Sequence, residues 1–363
     1  MHRRMLTRRR TLLRTAGSVA VAGLAGLSGC SGLIESRPVR SPPVPEDRPD
    51  GVYYPSHYEG MRVVDVQSDG RIACALTYTY PHRFWLVELG GVQRVSIRPA
   101  DSVHLMPLVW DRPTGLVLPD VAPTVSVSRQ GSLVDQFAPW PMLSQQMGLH
   151  FGDNLHLPEE GTYRVTVEVG VPSIRRTGAL AGRRASTTFS FEVPFSRSTL
   201  ESIPYTDVPA GKQGTRGAVS PMDHDQLPSP SLPDTGNLPG TIRGTGTSGD
   251  ARFVVTTIRD ATRFGGAENA RYLVVSPRTP YNRYPLAMMS VSGALSRGGH
   301  TVFDGPLRAT LDPELGYHYG APVDGIEPGD SLRLTIDAPP QLARHEGYET
   351  AFLDMPAVSI PLE

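Results

Sequence analysis

The stretch 139–154 reads PWPMLSQQMGLHFGDN. It sets two thioethers and one imidazole, Met142, Met147 and His150, among aromatic residues and glycines, ahead of a strand-like run at 162–169. Thioether sulfur and neutral imidazole suit copper, above all Cu(I), whereas carboxylates suit harder ions. The alternative is that the methionines fill gaps in a core and that His150 is a structural histidine. On residue types alone, this packing interpretation is favoured.

Short strand-like runs fill the chain on both sides of this stretch, and helical periodicity is absent. Runs rich in β-branched and aromatic residues are bounded by glycine, proline and aspartate, which is typical of strands and turns. They cover 61–66, 71–80, 83–89, 93–98, 103–110, 124–129, 132–137, 162–169 and 187–193, and then 252–258, 271–275, 285–291, 307–311, 331–336 and 357–360. The pattern predicts an all-β fold built from immunoglobulin-like β-sandwiches.

Part of the opening stretch recurs in the second half of the chain. The segment 149–152, LHFG, resembles 317–320, YHYG. A glycine follows each histidine by eleven residues, at Gly161 and Gly329 (161 − 150 and 329 − 318), and each glycine leads into an alternating strand. The matched spacing indicates a diverged internal duplication and two sandwiches in tandem.

The amino-terminal region has the features of an export signal. A twin-arginine pair, Arg9 and Arg10, precedes a small apolar run at 15–27 and the sequence LSGC that ends at Cys30. This arrangement predicts a lipoprotein signal peptide with lipidation of Cys30. The apolar run is shorter than the roughly 20 residues that a membrane span needs. The predicted location is therefore the extracytoplasmic face of the cell membrane, held by a lipid anchor after twin-arginine export.

The composition changes divide the remaining chain. We predict a twin-arginine lipoprotein signal peptide at 1–29, a Pro-rich tether at 30–50 and an immunoglobulin-like domain with a candidate metal site at 51–198. A Pro/Gly/Ser-rich linker at 199–250 and a second, diverged β-sandwich at 251–363 follow.

Charge and cysteine usage exclude several classes of function. Loss of six arginines with the signal leaves 35 − 6 = 29 basic against 36 acidic residues, a net charge of about −7, which argues against nucleic acid as a partner. After Cys30 only Cys74 remains, in an apolar run where a buried, unreactive thiol is expected, so a cysteine-based zinc or iron–sulfur site is excluded. The chain has no nucleophile elbow, zinc-protease helix, P-loop or dinucleotide fingerprint, and we predict that it is not an enzyme.

The opening stretch resembles the Fe2+-transport-associated periplasmic proteins, an immunoglobulin-like family that binds copper and works beside iron permeases. That family carries a Met-Pro-Met run, then Gly-Pro-His-Tyr-Gly-Ala-Asn-Val, then a Gly-x-Tyr-x-Val-x-Val strand. Here the order is WPM at 140–142, GLHFGDNL at 148–155 and GTYRVTV at 161–167. The family's His-Leu-Glu strand resembles HLM at 104–106, and the resemblance is clearest over residues 100–195.

The resemblance implies a set of metal ligands. His104, Met142 and His150 match ligand positions, Met106 stands where glutamate is usual, and Met147 is an additional thioether. More thioether and less carboxylate favours Cu(I) over Cu(II) or iron. The family's last histidine falls on the hairpin after Val169, where this chain has Arg175 and Arg176, and arginine does not bind metal.

The second half offers a second candidate metal site. His318 matches the central histidine of the motif, and His345 lies where the last histidine is expected. Met288 or Met289, on an upstream strand, would supply a thioether.

The expected function follows from these residues. The chain is predicted to be an extracytoplasmic lipoprotein that binds copper or ferrous iron through a His/Met site and supports iron transport, with an iron permease or another envelope protein as partner. The alternative is a metal-free structural or protein-interaction module of the envelope. Whether the protein forms a homodimer stays open. His82 is interpreted as a turn histidine on an aromatic cluster, and His57, His156 and His300 as exposed.

Overall fold

A computed structural model describes residues 41–88, 90–182 and 185–363, and the all-β prediction is confirmed. The strands of the first half are β1 His57–Glu59, β2 Arg62–Asp69, β3 Ile72–Thr79, β4 Phe84–Glu88, β5 Gly91–Val95, β6 Val103–Asp111, β7 Leu116–Val117, β8 Thr124–Arg129, β9 Ser132–Phe137, β10 Trp140–Ser144, β11 Gly148–Leu155, β12 Gly161–Val169, β13 Arg175–Arg176 and β14 Thr187–Phe195. They continue with β15 Tyr205–Asp207, β16 Thr241–Ser248, β17 Ala251–Ile258, β18 Arg271–Arg278, β19 Ser290–Arg297, β20 His300–Asp312, β21 Gly316–Val323, β22 Ser331–Ala338, β23 Ala343–Arg344 and β24 Val358–Pro361. Helical structure in these residues is limited to α1 Arg197–Glu201 and the 3-10 turns Gly178–Leu180, Thr235–Asn237 and Thr262–Phe264.

The burial of each strand follows its residue pattern. In β12, Tyr163, Val165 and Val167 are buried while Arg164 and Glu168 are exposed, so one face packs on the core and the other meets water. β3 and β6 are buried along their whole lengths, because both of their faces are covered. Cys74 lies on β3 as a buried free thiol, as predicted.

The strands form two large sheets and two small ones. One nine-stranded sheet runs β2-β3-β6-β11-β10-β23-β4-β5, with β7 paired to β6, and a four-stranded sheet runs β14-β12-β8-β9. The other nine-stranded sheet runs β16-β17-β18-β21-β20-β19-β22-β24, with β13 paired to β20. β1 and β15 form a separate pair.

The predicted duplication is visible as a constant offset of 168 residues. β18 begins 168 residues after β6 (271 − 103), β21 after β11 (316 − 148), and β23 after β13 (343 − 175). The pairing order β18-β21-β20-β13 in one large sheet repeats the order β6-β11-β10-β23 in the other.

The two repeats exchange their short last strands. β13, from the first repeat, pairs in parallel with β20 of the second, with Arg175 opposite Thr310. β23, from the second repeat, pairs in parallel with β10 of the first, with Met142 opposite Ala343. Each repeat therefore completes a sheet of the other, and the residues that follow β23 are delivered to the first repeat.

The predicted domain boundaries at 198/199 and 250/251 stay predictions. The described residues from 41 onward pack as one compact unit, and the segment predicted as a linker contributes β15 and β16. The described end of the predicted tether reaches this unit, where Arg48 Nε lies 2.8 Å from Glu349 Oε1. The predicted signal peptide and the Cys30 lipidation site lie outside the described residues. None of the described helices is long and apolar enough to span a membrane.

Gln145 ties the turn after β10 to the segment after β23. Its buried side-chain amide donates hydrogen bonds to Tyr53 O (2.7 Å) and Gly347 O (3.2 Å), and its Oε1 accepts from Val219 N (2.8 Å). Its own carbonyl accepts from Tyr284 Oη at 2.6 Å. One residue thus satisfies buried polar groups from four distant parts of the chain, which fixes the exchanged strand against the first repeat.

Replacing Gln145 by methionine, which keeps the length of the side chain, is expected to lower the free energy of unfolding by about 3 kcal/mol. The loss arises because the carbonyls of Tyr53 and Gly347 and the backbone N–H of Val219 lose the Gln145 side chain as a hydrogen-bond partner. Urea unfolding measures it, with Gln136→Met on the exposed face of β9 as the matched control, expected to change stability by less than about 0.5 kcal/mol. Equal effects of the two substitutions would contradict the role assigned to Gln145.

Candidate metal centre

Five side chains from both repeats converge beside β10. His150 lies directly opposite Met142 in the β10–β11 register, and His104 lies on β6, which pairs with β11. His82 lies in the turn before β4, and His345 directly follows β23. The exchange of β23 is what brings His345 here, since its backbone N–H donates to Leu143 O of β10 at 3.1 Å.

The separations between these groups are those of a potential metal site. Ligand nitrogens of His82, His104 and His345 all lie within 4.8 Å of one another. His345 Nε2 lies 3.3 Å from Met142 Sδ, and the His150 ring centroid lies 5.1 Å from that of His345. Nitrogens that share one three- or four-coordinate ion, at about 2.0–2.1 Å from it, are roughly 3.3–3.6 Å apart, so the three rings would have to close in by roughly an ångström to share an ion.

Three of the imidazoles are held by one nitrogen while the other nitrogen has no partner. His104 Nδ1 lies 2.9 Å from Asn154 Oδ1, and His150 Nδ1 lies 3.0 Å from Gly148 O. The Nε2 atoms of His82, His104 and His150 are buried without a hydrogen-bond partner among the described residues. Anchoring of Nδ1 with a bare Nε2 is the orientation that metal-binding histidines adopt. Each unpartnered buried nitrogen costs roughly 1–3 kcal/mol, which a bound ion would recover.

Burial keeps the imidazoles of His104, His150 and His345 neutral. It lowers the pKa of His150 to about 4, and it holds the pKa values of His104 and His345 well below the ordinary value, with neighbouring histidines adding to the shift. A neutral imidazole has a free lone pair, whereas a protonated one has none. These three imidazoles are therefore available to a cation at neutral pH.

Glu59 lies behind His82. Its Oε2 is 3.5 Å from His82 Nδ1 and accepts a hydrogen bond from Thr79 Oγ1 at 3.2 Å, and its Oε1 is 3.6 Å from His57 Nε2. Burial raises the pKa of the Glu59 carboxyl, but the two imidazoles outweigh burial and the net pKa is lowered. Both nitrogen–oxygen distances exceed a well-formed hydrogen bond, so the interaction is chiefly electrostatic. An ionised carboxylate on the Nδ1 side turns the Nε2 of His82 toward the cluster.

Gly152 leaves the space in which the donors meet. A Cβ at this position would lie 2.6 Å from His104 Nε2 and 3.0 Å from Met142 Sδ, closer than real Cβ contacts allow. The absence of a side chain on β11 is thus what lets the imidazole and the thioether approach each other.

Gly152→Ala is expected to weaken Cu(I) binding at least tenfold, because the methyl group displaces both donors by several tenths of an ångström. Its backbone lies outside the left-handed region, so the effect is steric and the fold should persist. Competition with a Cu(I) chelator measures the affinity. Gly211→Ala, where a Cβ would meet nothing within 4 Å, is the control, and equal affinities for the two variants would contradict this geometry.

The predicted ligands Met106 and Met147 lie at the border of the cluster. Both line a cleft of about 100 Å³, and His82 and His345 line the same cleft. Of the predicted first site, the structure brings together His104, Met142 and His150, whereas the two other thioethers surround the approach to them.

The predicted second site is not assembled. His345 lies with Met142 in the first repeat, whereas His318 lies against the rings of Phe264 and Tyr272, with centroid separations of 6.1 and 5.7 Å. The sequence interpretation missed the exchange of β23, which carries His345 to the other repeat. Met288 and Met289 have backbone amides that donate to Tyr317 Oη and Tyr319 Oη, and neither methionine lies in the His345 cluster.

The equivalent position in the second repeat is built around a guanidinium group. With the 168-residue offset, Tyr272 stands where the first repeat has His104, and Thr310 stands where it has Met142. Arg175, on the exchanged strand β13, donates from Nε to Thr310 Oγ1 (2.9 Å), from Nη1 to Phe264 O (2.8 Å) and from Nη2 to Tyr272 Oη. A fixed internal cation therefore satisfies these polar groups of the second repeat, and it is one of the two arginines that stand where the sequence resemblance led us to expect a histidine.

For two further histidines, the sequence interpretation differs from the structure. His82 belongs to the cluster, with a ring centroid 4.0 Å from that of His104, and is not only a packed turn histidine. His57, predicted to be exposed, is largely buried and stacks on Tyr205 at 4.9 Å. No motif marks His82, because it reaches the cluster through the β4–β23 pairing. The offset of 168 residues that relates His345 to Thr177 (345 − 177) can be derived from the sequence, but the exchange of strands between the repeats cannot.

The matches to known proteins each cover a part of the chain. Residues 236–361, which span β16 to β24, match a family described as Domain of unknown function (DUF7350). No curated protein matches the chain. Among solved structures, a copper-bound variant of FetP from uropathogenic Escherichia coli strain F11 is 19% identical over 37% of this chain and 97% of its own, with a TM-score of 0.29. FetP from the same strain as isolated after expression in the E. coli periplasm is 17% identical over 38% of this chain and 95% of its own, with a TM-score of 0.29.

Proposed function

We propose that this protein binds one Cu(I) ion with the imidazoles of His82, His104 and His345 and the thioether of Met142, with His150 at the edge of the site. The observation that carries the proposal is the group of buried Nε2 atoms without hydrogen-bond partners around a buried sulfur. Without a bound metal, it would be energetically costly to bury four neighbouring imidazoles, three of which have an Nε2 atom without a hydrogen-bond partner among the described residues.

The donor set favours copper over iron. The inner donors are neutral imidazoles and one thioether, and the nearest carboxylate, Glu59, is directed at the Nδ1 side of His82 rather than at the cluster. Soft sulfur and imidazole select Cu(I), whereas ferrous iron in proteins more often has a carboxylate among its ligands. Neutral donors also leave the monovalent charge of Cu(I) easier to bury than a divalent one.

The protein would bind and hand over its ion by ligand exchange, without turnover of a substrate. His82 and His345 line the cleft, so an acceptor that enters the cleft can replace them first while His104 and Met142 still hold the ion. Anchored Nδ1 atoms keep the rings oriented between rounds of loading.

The cellular setting in the proposal comes from the amino-terminal sequence. Twin-arginine export and lipidation at Cys30 would place the site on the extracytoplasmic side of the membrane, within reach of an envelope permease. Support of iron transport by a copper-binding protein is the role that the motif resemblance at 140–167 favours. The alternative, a metal-free interaction module, predicts no stoichiometric copper.

Anaerobic Cu(I) titration against a chelator tests the proposal on the chain that begins after Cys30. We expect one ion per chain, and at least a 100-fold loss of affinity in His104→Ala/His345→Ala, because two of the four inner donors are removed. His300→Ala, at an exposed histidine in the second repeat, should bind as the unmodified protein does. If the double variant keeps its affinity, or the unmodified protein binds less than 0.2 ions per chain, the metal-free alternative replaces this proposal.

A further inference from the structure

The cleft that leads to the cluster has methionine thioethers along its wall. Met61, Met147 and Met222 line it and are partly exposed, as are His82 and His345, whereas Met106 is buried. The three partly exposed methionines come from three distant parts of the chain. Methionine is a flexible apolar residue that normally fills core gaps, so its repeated use along an open cleft needs a different account.

Met222 is held at this rim by the backbone. Its N–H donates to Gln146 O at 2.9 Å, which sets the residue beside the Gln146–Met147 turn. The N–H of Met147 in turn donates to Ser144 Oγ at 3.1 Å. Hydrogen bonds thus fix the backbone positions of two of the thioether residues, Met147 and Met222, which lie in neighbouring segments of the cleft lining.

Glu59 supplies a buried carboxylate in the same cleft, and its partners are the imidazoles of His57 and His82 and the hydroxyl of Thr79. Its side chain is only 7% exposed, and Oε1 has no hydrogen-bond partner among the described residues. The other ionised carboxylate of the lining, Glu346, is paired with Arg83. Glu59 therefore has no permanently charged partner, and a cation in the cleft would gain from it.

We propose that the cleft holds a second, weakly bound monovalent soft metal ion on the thioethers of Met61, Met147 and Met222, beside the carboxylate of Glu59. This outer position rests on the proposed function, because a metal ion would enter and leave the inner imidazole site through it. Thioethers are neutral, weak ligands on flexible side chains, so they hold a Cu(I)-type ion loosely enough for it to move inward. Thioethers are poor ligands for hard divalent ions, so the three methionines of the outer position favour a soft monovalent ion.

Silver(I), a monovalent soft ion that does not change oxidation state under these conditions, is the probe. Isothermal titration and native mass spectrometry of the chain that begins after Cys30 should show one tight and one weaker equivalent. Met61→Leu/Met147→Leu/Met222→Leu should lose the weaker equivalent and keep the tight one within threefold. Met289→Leu/Met355→Leu removes thioethers at two buried positions away from the cleft and should keep both equivalents. The single variant Met222→Leu, which is milder for folding, should weaken the outer equivalent about tenfold.

The outcomes separate the two proposals. A single tight equivalent in the unmodified protein, or two in the triple variant, overturns the outer position and leaves the inner site standing. Loss of the weaker equivalent in the control variant also overturns it. Absence of any tight equivalent in the unmodified protein overturns the proposed function and the outer position with it.

Discussion

The pairing of β23 with β10 is the constraint on which the rest of the site depends. Only two residue pairs define this parallel contact, yet it moves His345 from the second repeat to the side of Met142. So short a pairing cannot hold itself, because each ladder hydrogen bond contributes only about 1 kcal/mol net. The bonds of Gln145 to Gly347 and to the carbonyl of Tyr53 add the buried polar contacts that keep the exchanged segment in place.

The exchange is reciprocal, but the two resulting positions differ in chemistry. In the first repeat the donors are imidazoles and a thioether, and three nitrogens have no partner within the described chain. In the second, Arg175 brings its own positive charge and satisfies Thr310, Tyr272 and the Phe264 carbonyl. One duplicated framework therefore presents an open set of potential donors in the first repeat and a self-contained cation in the second.

Much of this architecture was predictable from local patterns. Alternation such as Tyr163, Val165 and Val167 fixes which face of β12 is buried, and the paired spacing from His150 to Gly161 and His318 to Gly329 revealed the repeat. The proximity of the candidate ligands His104, Met142 and His150 could be predicted because they lie within one repeat, on strands whose order the motif preserves. His345 and His82 were not assigned to the site, since pairing between β23, β4 and β10 is non-local and depends on which of two similar sheet edges a two-residue strand joins. That choice is made by tertiary contacts such as those of Gln145, and these leave no periodic signal in the sequence.

X-ray absorption at the copper edge tests most directly whether imidazoles from both repeats and one thioether share a single Cu(I) ion. A shared site predicts a sulfur shell at about 2.3 Å together with two to three imidazole nitrogens at about 2.0 Å, taking zinc–thiolate and zinc–imidazole bond lengths as the guide. It also predicts that His345→Ala removes part of the imidazole signal and leaves the sulfur in place. A spectrum without sulfur, or an imidazole signal that does not change in His345→Ala, would contradict it.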